Sequence, residues 1–355
     1  MAERLNVKLK RMITAVDIHA GTPMRVITGG IINIPGKTVL EKKKWLETEG
    51  DDLRQLMLNE PRGYPAMCCN LLVPPSHPDA DAGFIVMEHN EYPPMSGGNT
   101  ITVATTLLET GILPMQEPVT EILLESPAGL IPVRAECSEG KVTQVTFQNV
   151  PAFAIHLDVK IDVPQLGKVD VDVAWGGMFY VIADAGQFDL EITAENGAQI
   201  TRIGEMLRVA AGEQLPVVHP LNPEFHTVSV SMLSSKPTHP KAHLKNAVTM
   251  PTGTPDWEKP ESWRGAIDRC PCGTGTCAKM AVLHAKGQLE IDEDFYHESI
   301  TGTLFKGRLI EQTQIGSYQA VVPTIAGQAW IYGLTNYVLD PTDPFPRGYR
   351  VGDIW

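Results

Sequence analysis

The stretch that decides the fold is Cys272-Gly-Thr-Gly-Thr-Cys-Ala-Lys-Met-Ala-Val-Leu-His-Ala-Lys-Gly-Gln-Leu289, because the chain carries its outline twice. Set beside it, Ser96-Gly-Gly-Asn-Thr-Ile-Thr-Val-Ala-Thr-Thr-Leu-Leu-Glu-Thr-Gly-Ile-Leu113 brings Ser96 to Cys272, Gly97 to Gly273, Thr100 to Thr276, Leu107 to Leu283, Gly111 to Gly287 and Leu113 to Leu289. Five identities in eighteen positions are weak alone. The layout is shared too: a glycine-rich turn opens an apolar helix of about four turns, which stops at a glycine, the residue favoured just past a helix end. Two such helices, one in each half, predict a pseudo-symmetric, two-domain α+β protein with a cleft between its halves.

The rest of the chain agrees with that outline. Runs 24–34, 83–88, 120–137 and 141–150 read as strands of one set, and 156–163, 168–175 and 179–185 as strands of a second. Residues 39–60 and 197–213 have helical periodicity, and 301–313 and 328–340 read as later strands. With 355 residues and 43% hydrophobic content the chain is long enough for two domains with cores of their own. A net charge of −13, without a Lys/Arg stripe, argues against nucleic acid and anionic membrane as partners. Neither a targeting segment nor a membrane span is legible. Six cysteines, two of them adjacent (Cys68, Cys69) and three crowded together, suit reduced thiols in a cytoplasm better than disulfides.

Three chemistries compete for Cys270-Pro-Cys-Gly-Thr-Gly-Thr-Cys277. Structural zinc sites favour C-x2-C pairs with a fourth ligand, and the C-x-C-x4-C spacing here is neither. A dinucleotide loop needs the full G-x-G-x-x-G after a parallel strand, which is not met. The third reading is an anion-binding turn at a helix N-terminus, where outward N–H groups hold a carboxylate and the helix dipole lowers a thiol's pKa. It makes Cys272 a candidate base or nucleophile, with Gly273, Thr274 and Gly275 allowing close approach of an anion. The matching turn, Ser96-Gly97-Gly98-Asn99, offers a second set of N–H donors and a hydroxyl. Two such turns around a small carboxylic acid suit proton removal at its α-carbon.

With these residues in view, the chain resembles the proline racemase superfamily. The resemblance runs through residues 15–30 (AVDIHAGTPMRVITGG), 60–67, 74–101, 175–185 (WGGMFYVIADA), 267–289, 301–309 and 343–351. It implies two pseudo-symmetric halves, each a curved sheet wrapped around a central helix. On this expectation residues 1–154 with 338–355 form the half carrying Ser96, and 155–337 the half carrying Cys272. The resemblance further implies an enzyme in which Ser96 and Cys272 are catalytic, Gly97, Gly98, Gly273 and Thr274 hold the substrate carboxylate, and Asp268 lies beside the imino nitrogen. It implies a small imino-acid substrate, a homodimer, and no metal, nucleotide, flavin or pyridoxal phosphate.

The sequence departs from the family's two-thiol pattern at the first turn: Ser96 replaces a cysteine and Gly98 a usual histidine. A hydroxyl is far less acidic than a thiol, which favours dehydration of trans-3-hydroxy-L-proline to 1-pyrroline-2-carboxylate, a hydro-lyase reaction needing one base. The alternative is 2-epimerisation of 4-hydroxyproline or weak proline racemisation, with a non-catalytic imino-acid binder as the third reading. Structural roles compete at single positions. The competing reading makes Ser96 a helix cap, Asp268 a cap of the following turn, Thr274 a turn residue, and Cys68 and Cys69 core thiols.

Overall fold

The computed structural model describes residues 11–31, 33–340, 342–352 and 354. The chain divides into two compact units, one reaching to Phe147 and resuming at Gly327, the other spanning Gln148–Ala326.

The first unit begins β1 (Arg11–His19), β2 (Pro23–Gly29), α1 (Val39–Thr48), α2 (Asp52–Leu58), β3 (Cys68–Val73), β4 (Ala82–Met87), α3 (Gly97–Glu109), β5 (Val119–Ser126), β6 (Gly129–Ser138) and β7 (Lys141–Gln148). The second contains β8 (Phe153–Val163), β9 (Gly167–Trp175), β10 (Phe179–Asp184), α4 (Gly197–Gln214), β11 (Val228–Ser235), β12 (Leu244–Pro251), β13 (Gly265–Ile267), α5 (Gly273–Ala285), β14 (Asp294–Glu298), β15 (Leu304–Ile315) and β16 (Tyr318–Gly327). The last strand, β17 (Trp330–Leu339), belongs to the first unit and pairs antiparallel with β1.

The two units repeat one pairing scheme. From β1 the first runs β1–β2 antiparallel, β2–β3 parallel, β3–β4 antiparallel, β4–β5 parallel, then β5–β6 and β6–β7 antiparallel. From β9 the second runs β9–β10 antiparallel, β10–β11 parallel, β11–β12 antiparallel, β12–β14 parallel, then β14–β15 and β15–β16 antiparallel. An outer strand precedes each series: β17 on β1, and β8 on β9.

Each sheet curves around one helix. From Gly97 to Leu108 every residue of α3 is buried, and the helix contacts β1, β2, β3, β6 and β17. In the second unit α5 is buried through most of its length and contacts β8, β9, β10 and β15. A helix enclosed on all sides has no polar face, so its apolar, threonine-rich composition follows from its place. Threonine hydroxyls in α3 bond back into the helix, Thr105 to the Ile101 carbonyl at 2.9 Å and Thr102 to that of Asn99 at 2.9 Å. Both helices end as their sequences predict, with Gly111 at φ +71° and Gly287 at φ +68°.

The single helix expected over 39–60 is two, α1 and α2. Gly50 lies between them, where a Cβ would come within 2.3 Å of the Trp45 ring. The strand expected over 24–34 stops at Gly29, because Gly30 takes φ +84° against the Met12 carbonyl. Among the described residues, no helix is long and apolar enough to cross a membrane.

Candidate active site

The first turn of α3 is built around Ser96, which occupies the N-cap position in extended conformation (φ −149°, ψ 130°). Its side chain does not cap the helix backbone. Instead Ser96 Oγ accepts a hydrogen bond from Asn99 Nδ2 at 2.9 Å. The serine carbonyl accepts from both the amide and the hydroxyl of Thr100, each at 2.9 Å. Behind Asn99 lies Asn70 on β3, whose Nδ2 donates to Asn99 Oδ1 at 2.8 Å. Both carboxamides are buried, as are Gly97 and Gly98.

The first turn of α5 is built differently. Cys272 holds φ +61° and ψ 109°, a region that L-residues seldom occupy and that surrounding bonds must enforce. Those bonds converge on the preceding carbonyl: Pro271 O accepts from Asn246 Nδ2 at 2.9 Å and from Thr276 Oγ1 at 3.0 Å. His297 Nδ1 lies 2.9 Å from both donors. The Cys272 N–H contacts Cys270 Sγ at 3.3 Å, and the Cys272 carbonyl receives the Thr276 N–H at 2.8 Å.

Around the thiol stand two hydroxyls. Tyr180 Oη lies 3.2 Å from Cys272 Sγ and 2.6 Å from Thr274 Oγ1. Two glycines make this packing feasible. At Gly275 a Cβ would lie 3.1 Å from Cys272 Sγ, 3.1 Å from the Tyr180 ring and 2.8 Å from the Met232 methyl. At Gly176 it would lie 2.2 Å from the Thr274 carbonyl, so the β9–β10 turn reaches α5 only as glycine.

The helix dipole does not set the thiol's acidity as its sequence position suggests. Burial, and next the negative charge of Asp268, push the Cys272 thiol well above its ordinary value. The phenol of Tyr180, the Gly275 amide and Thr274 pull the other way and do not prevail. Tyr180 is itself pushed up by burial and by Cys272. Asp268 lies just past β13, its N–H on the Val248 carbonyl at 2.9 Å and its Oδ1 accepting the Cys270 N–H at 3.0 Å. It therefore shapes the turn and bears on the thiol at once.

Within the second unit the structure brings together Cys272, Gly273, Thr274 and Asp268; within the first it brings together Ser96, Gly97 and Gly98. Sequence reading did not single out Asn70, Tyr180, Asn246 and His297, and treated Asn99 only as part of a turn. It also passed over a second repeat, Pro75-Ser-His-Pro78 and Pro237-Thr-His-Pro240. Glu125 accepts the Ser76 and His77 amides and the Ser76 hydroxyl, and Glu298 accepts the Thr238 and His239 amides and the Thr238 hydroxyl. Burial opposes ionisation of these two carboxyls, yet the bonds from Ser76 and His77, and from Thr238 and His239, hold both below the usual range. The tetrapeptide spacing was the available signal. Cys68 and Cys69 are core residues, and burial pushes the Cys69 thiol up to about 12. Among the described residues no cluster of three or more His, Cys, Asp or Glu side chains could hold a metal ion.

Each unit thus buries one helix whose first turn carries a protic side chain, Ser96 in the first and Cys272 in the second. The chain belongs to the proline racemase family, whose model matches residues 15–350. It is 41% identical over 344 residues to the proline racemase of Clostridioides difficile, covering 97% of this chain and 99% of that one. It is 40% identical over 352 residues to the 4-hydroxyproline 2-epimerase of Rhizobium etli, covering 98% of each. The crystal structure of a hydroxyproline epimerase from Agrobacterium vitis with bound trans-4-hydroxy-L-proline superposes with a TM-score of 0.86, at 36% identity over 97% of each chain.

Proposed function

We propose that this enzyme inverts the α-carbon of a proline-type imino acid, with 4-hydroxyproline as the substrate and Cys272 and Ser96 as the acid/base pair. The observation that carries this reading is the equivalence of the two turns: Ser96 and Cys272 stand at the same position of the two central helices, and each reacting atom is engaged by buried polar groups. The first-turn amides of Gly97, Gly98, Gly273 and Thr274 would bind the carboxylate, as helix N-termini do. Asp268 would face the protonated imino nitrogen. That positive charge offsets the effect of Asp268 on the thiol and favours thiolate when substrate is bound. One C–H bond breaks, its proton passing to one group; a new C–H bond forms from the proton of the other.

The relatives' activities support 2-epimerisation over the dehydration of trans-3-hydroxy-L-proline expected from Ser96 alone. Proton NMR in D2O separates the two. Accumulation of the C2 epimer of trans-4-hydroxy-L-proline, with deuterium at the α-position, is expected. Conversion of trans-3-hydroxy-L-proline to 1-pyrroline-2-carboxylate, with the 4-hydroxy compound untouched, would replace this reading by the dehydratase.

A further inference from the structure

A carboxamide can be read in two orientations, so the direction of a hydrogen-bond chain through two asparagines needs an anchor. Here the anchor is a backbone carbonyl. Asn70 Nδ2 reaches the Arg25 carbonyl oxygen at 3.4 Å, and a carbonyl only accepts. Asn70 therefore presents its nitrogen on that side. The second hydrogen of the same nitrogen goes to Asn99 at 2.8 Å, so Asn99 must present its oxygen there. This leaves Asn99 Nδ2 to face Ser96 Oγ at 2.9 Å. Reversing Asn70 would set its oxygen against the Arg25 carbonyl and the Asn99 oxygen, and reversing Asn99 alone would set nitrogen against nitrogen, in a place where Asn70 and Asn99 are 0% and 1% exposed.

The anchor is itself fixed. Arg25 is buried on β2, paired with Asp17 through Nε at 2.9 Å, bonded to the Met57 carbonyl at 2.9 Å and covered by the Tyr337 ring at 4.6 Å. The β2–β3 register sets Val26, next to Arg25, opposite Asn70.

We propose that Asn70 and Asn99 form a one-way hydrogen-bond chain ending on the Ser96 oxygen, which makes Ser96 the proton-giving member of the acid/base pair and Cys272 the proton-taking one in one direction of the inversion, the two roles exchanging in the reverse direction. Each link donates forward: Asn70 to Asn99, Asn99 to Ser96. The serine oxygen is occupied as an acceptor, and among the described residues no acceptor takes its hydroxyl proton. The proton is thus directed away from the chain, and the alkoxide left after transfer keeps a donor on it. Asn99 and Asn70 are positioning residues that act through Ser96. The inference rests on the proposed role of Ser96 in proton transfer.

A reporter thiol tests the chain without requiring turnover. In a Ser96→Cys, Cys272→Ala protein, the pH dependence of iodoacetamide alkylation, localised by mass spectrometry, gives the acidity of the thiol at position 96. Adding Asn99→Ala is expected to raise that titration by about one pH unit, the effect of losing one donor to the charged form. Adding Asn70→Ala instead is expected to raise it by less. Should Asn99→Ala fail to fold, Asn99→Asp keeps the shape, replaces the donor by an acceptor and is expected to raise it further. An unshifted titration with Asn99→Ala or Asn99→Asp, in proteins that melt like their parent, would overturn the proposal. A wild-type enzyme inert toward hydroxyproline would overturn the function above but leave the titration readable.

Discussion

The first turns of α3 and α5 stand at matching places in the two units and hold their side chains by different means. At α3 a hydroxyl ends a chain of two carboxamides. At α5 a thiol rests against a phenol and a threonine. Aligning the two Pro-x-His-Pro segments matches Asn70 with Met232, and aligning the helices matches Asn99 with Gly275. The strand register then matches Tyr180, opposite Val230, with Met24, opposite Cys68. The second turn thus carries a methionine and a glycine at the positions of the two amides, with Tyr180 beside both. One scaffold sets a carboxamide donor on the Ser96 hydroxyl and a phenol with a threonine hydroxyl beside the Cys272 thiol. In the proposed mechanism that difference gives one helix a hydroxyl held by a donor and the other a thiol that is harder to ionise and, once ionised, more basic.

The largest test of this contrast is Cys272→Ala, expected to cut α-proton exchange by about a thousandfold, within the usual range for a lost acid or base. Exchange measured by NMR at near wild-type rate would remove the thiol from the mechanism. Copying side-chain bulk into the second turn sharpens the contrast next. Gly275→Ala sets a Cβ against Cys272 Sγ, the Tyr180 ring and Met232 and should cost about 1–3 kcal/mol in urea unfolding. Unchanged stability would mean that the phenol is not held against the thiol.

Tyr180→Phe isolates the phenol. It should move the alkylation profile of Cys272 upward by about one pH unit and lower kcat about tenfold, because the thiolate loses a donor. An unmoved profile with lowered kcat would assign Tyr180 to packing alone. The smallest effect at neutral pH concerns the bracket behind the turn. Burial, and next Lys279, depress His297 to about 3, so the folded protein keeps it neutral where the unfolded chain binds a proton. Stability should therefore be complete above about pH 6.5 and fall toward pH 3 by up to ~1.4 kcal/mol per pH unit. His297→Asn should flatten that slope in chemical denaturation measured across the window; an unaltered slope would point to other groups.

The two central helices were legible because turn, helix and glycine stop recur in order, and periodicity survives even where identities are few. Glycine at the ends of α3 and α5 gave both stops. Other features depended on long-range contacts. Residues 68–73 show no alternation because β3 is buried on both faces, and their apolar run says core without saying strand. Ser96 and Cys272 stood out by repeat and resemblance, whereas Asn70 lies 29 residues from Asn99 and Tyr180 lies 92 from Cys272. No local pattern announces a partner that distant. The acidity of Cys272 misled for a related reason: a helix start is visible in sequence, but the burial and the neighbouring Asp268 that outweigh it are not.

The central claim is that a thiol on one helix and a hydroxyl on the other exchange protons with the α-carbon of hydroxyproline. The most direct measurement is proton NMR of the wild-type enzyme in D2O with trans-4-hydroxy-L-proline. Loss of the α-proton signal together with growth of the C2 epimer is predicted. An unchanged spectrum, with the 3-hydroxy isomer losing water in a parallel tube, would contradict it.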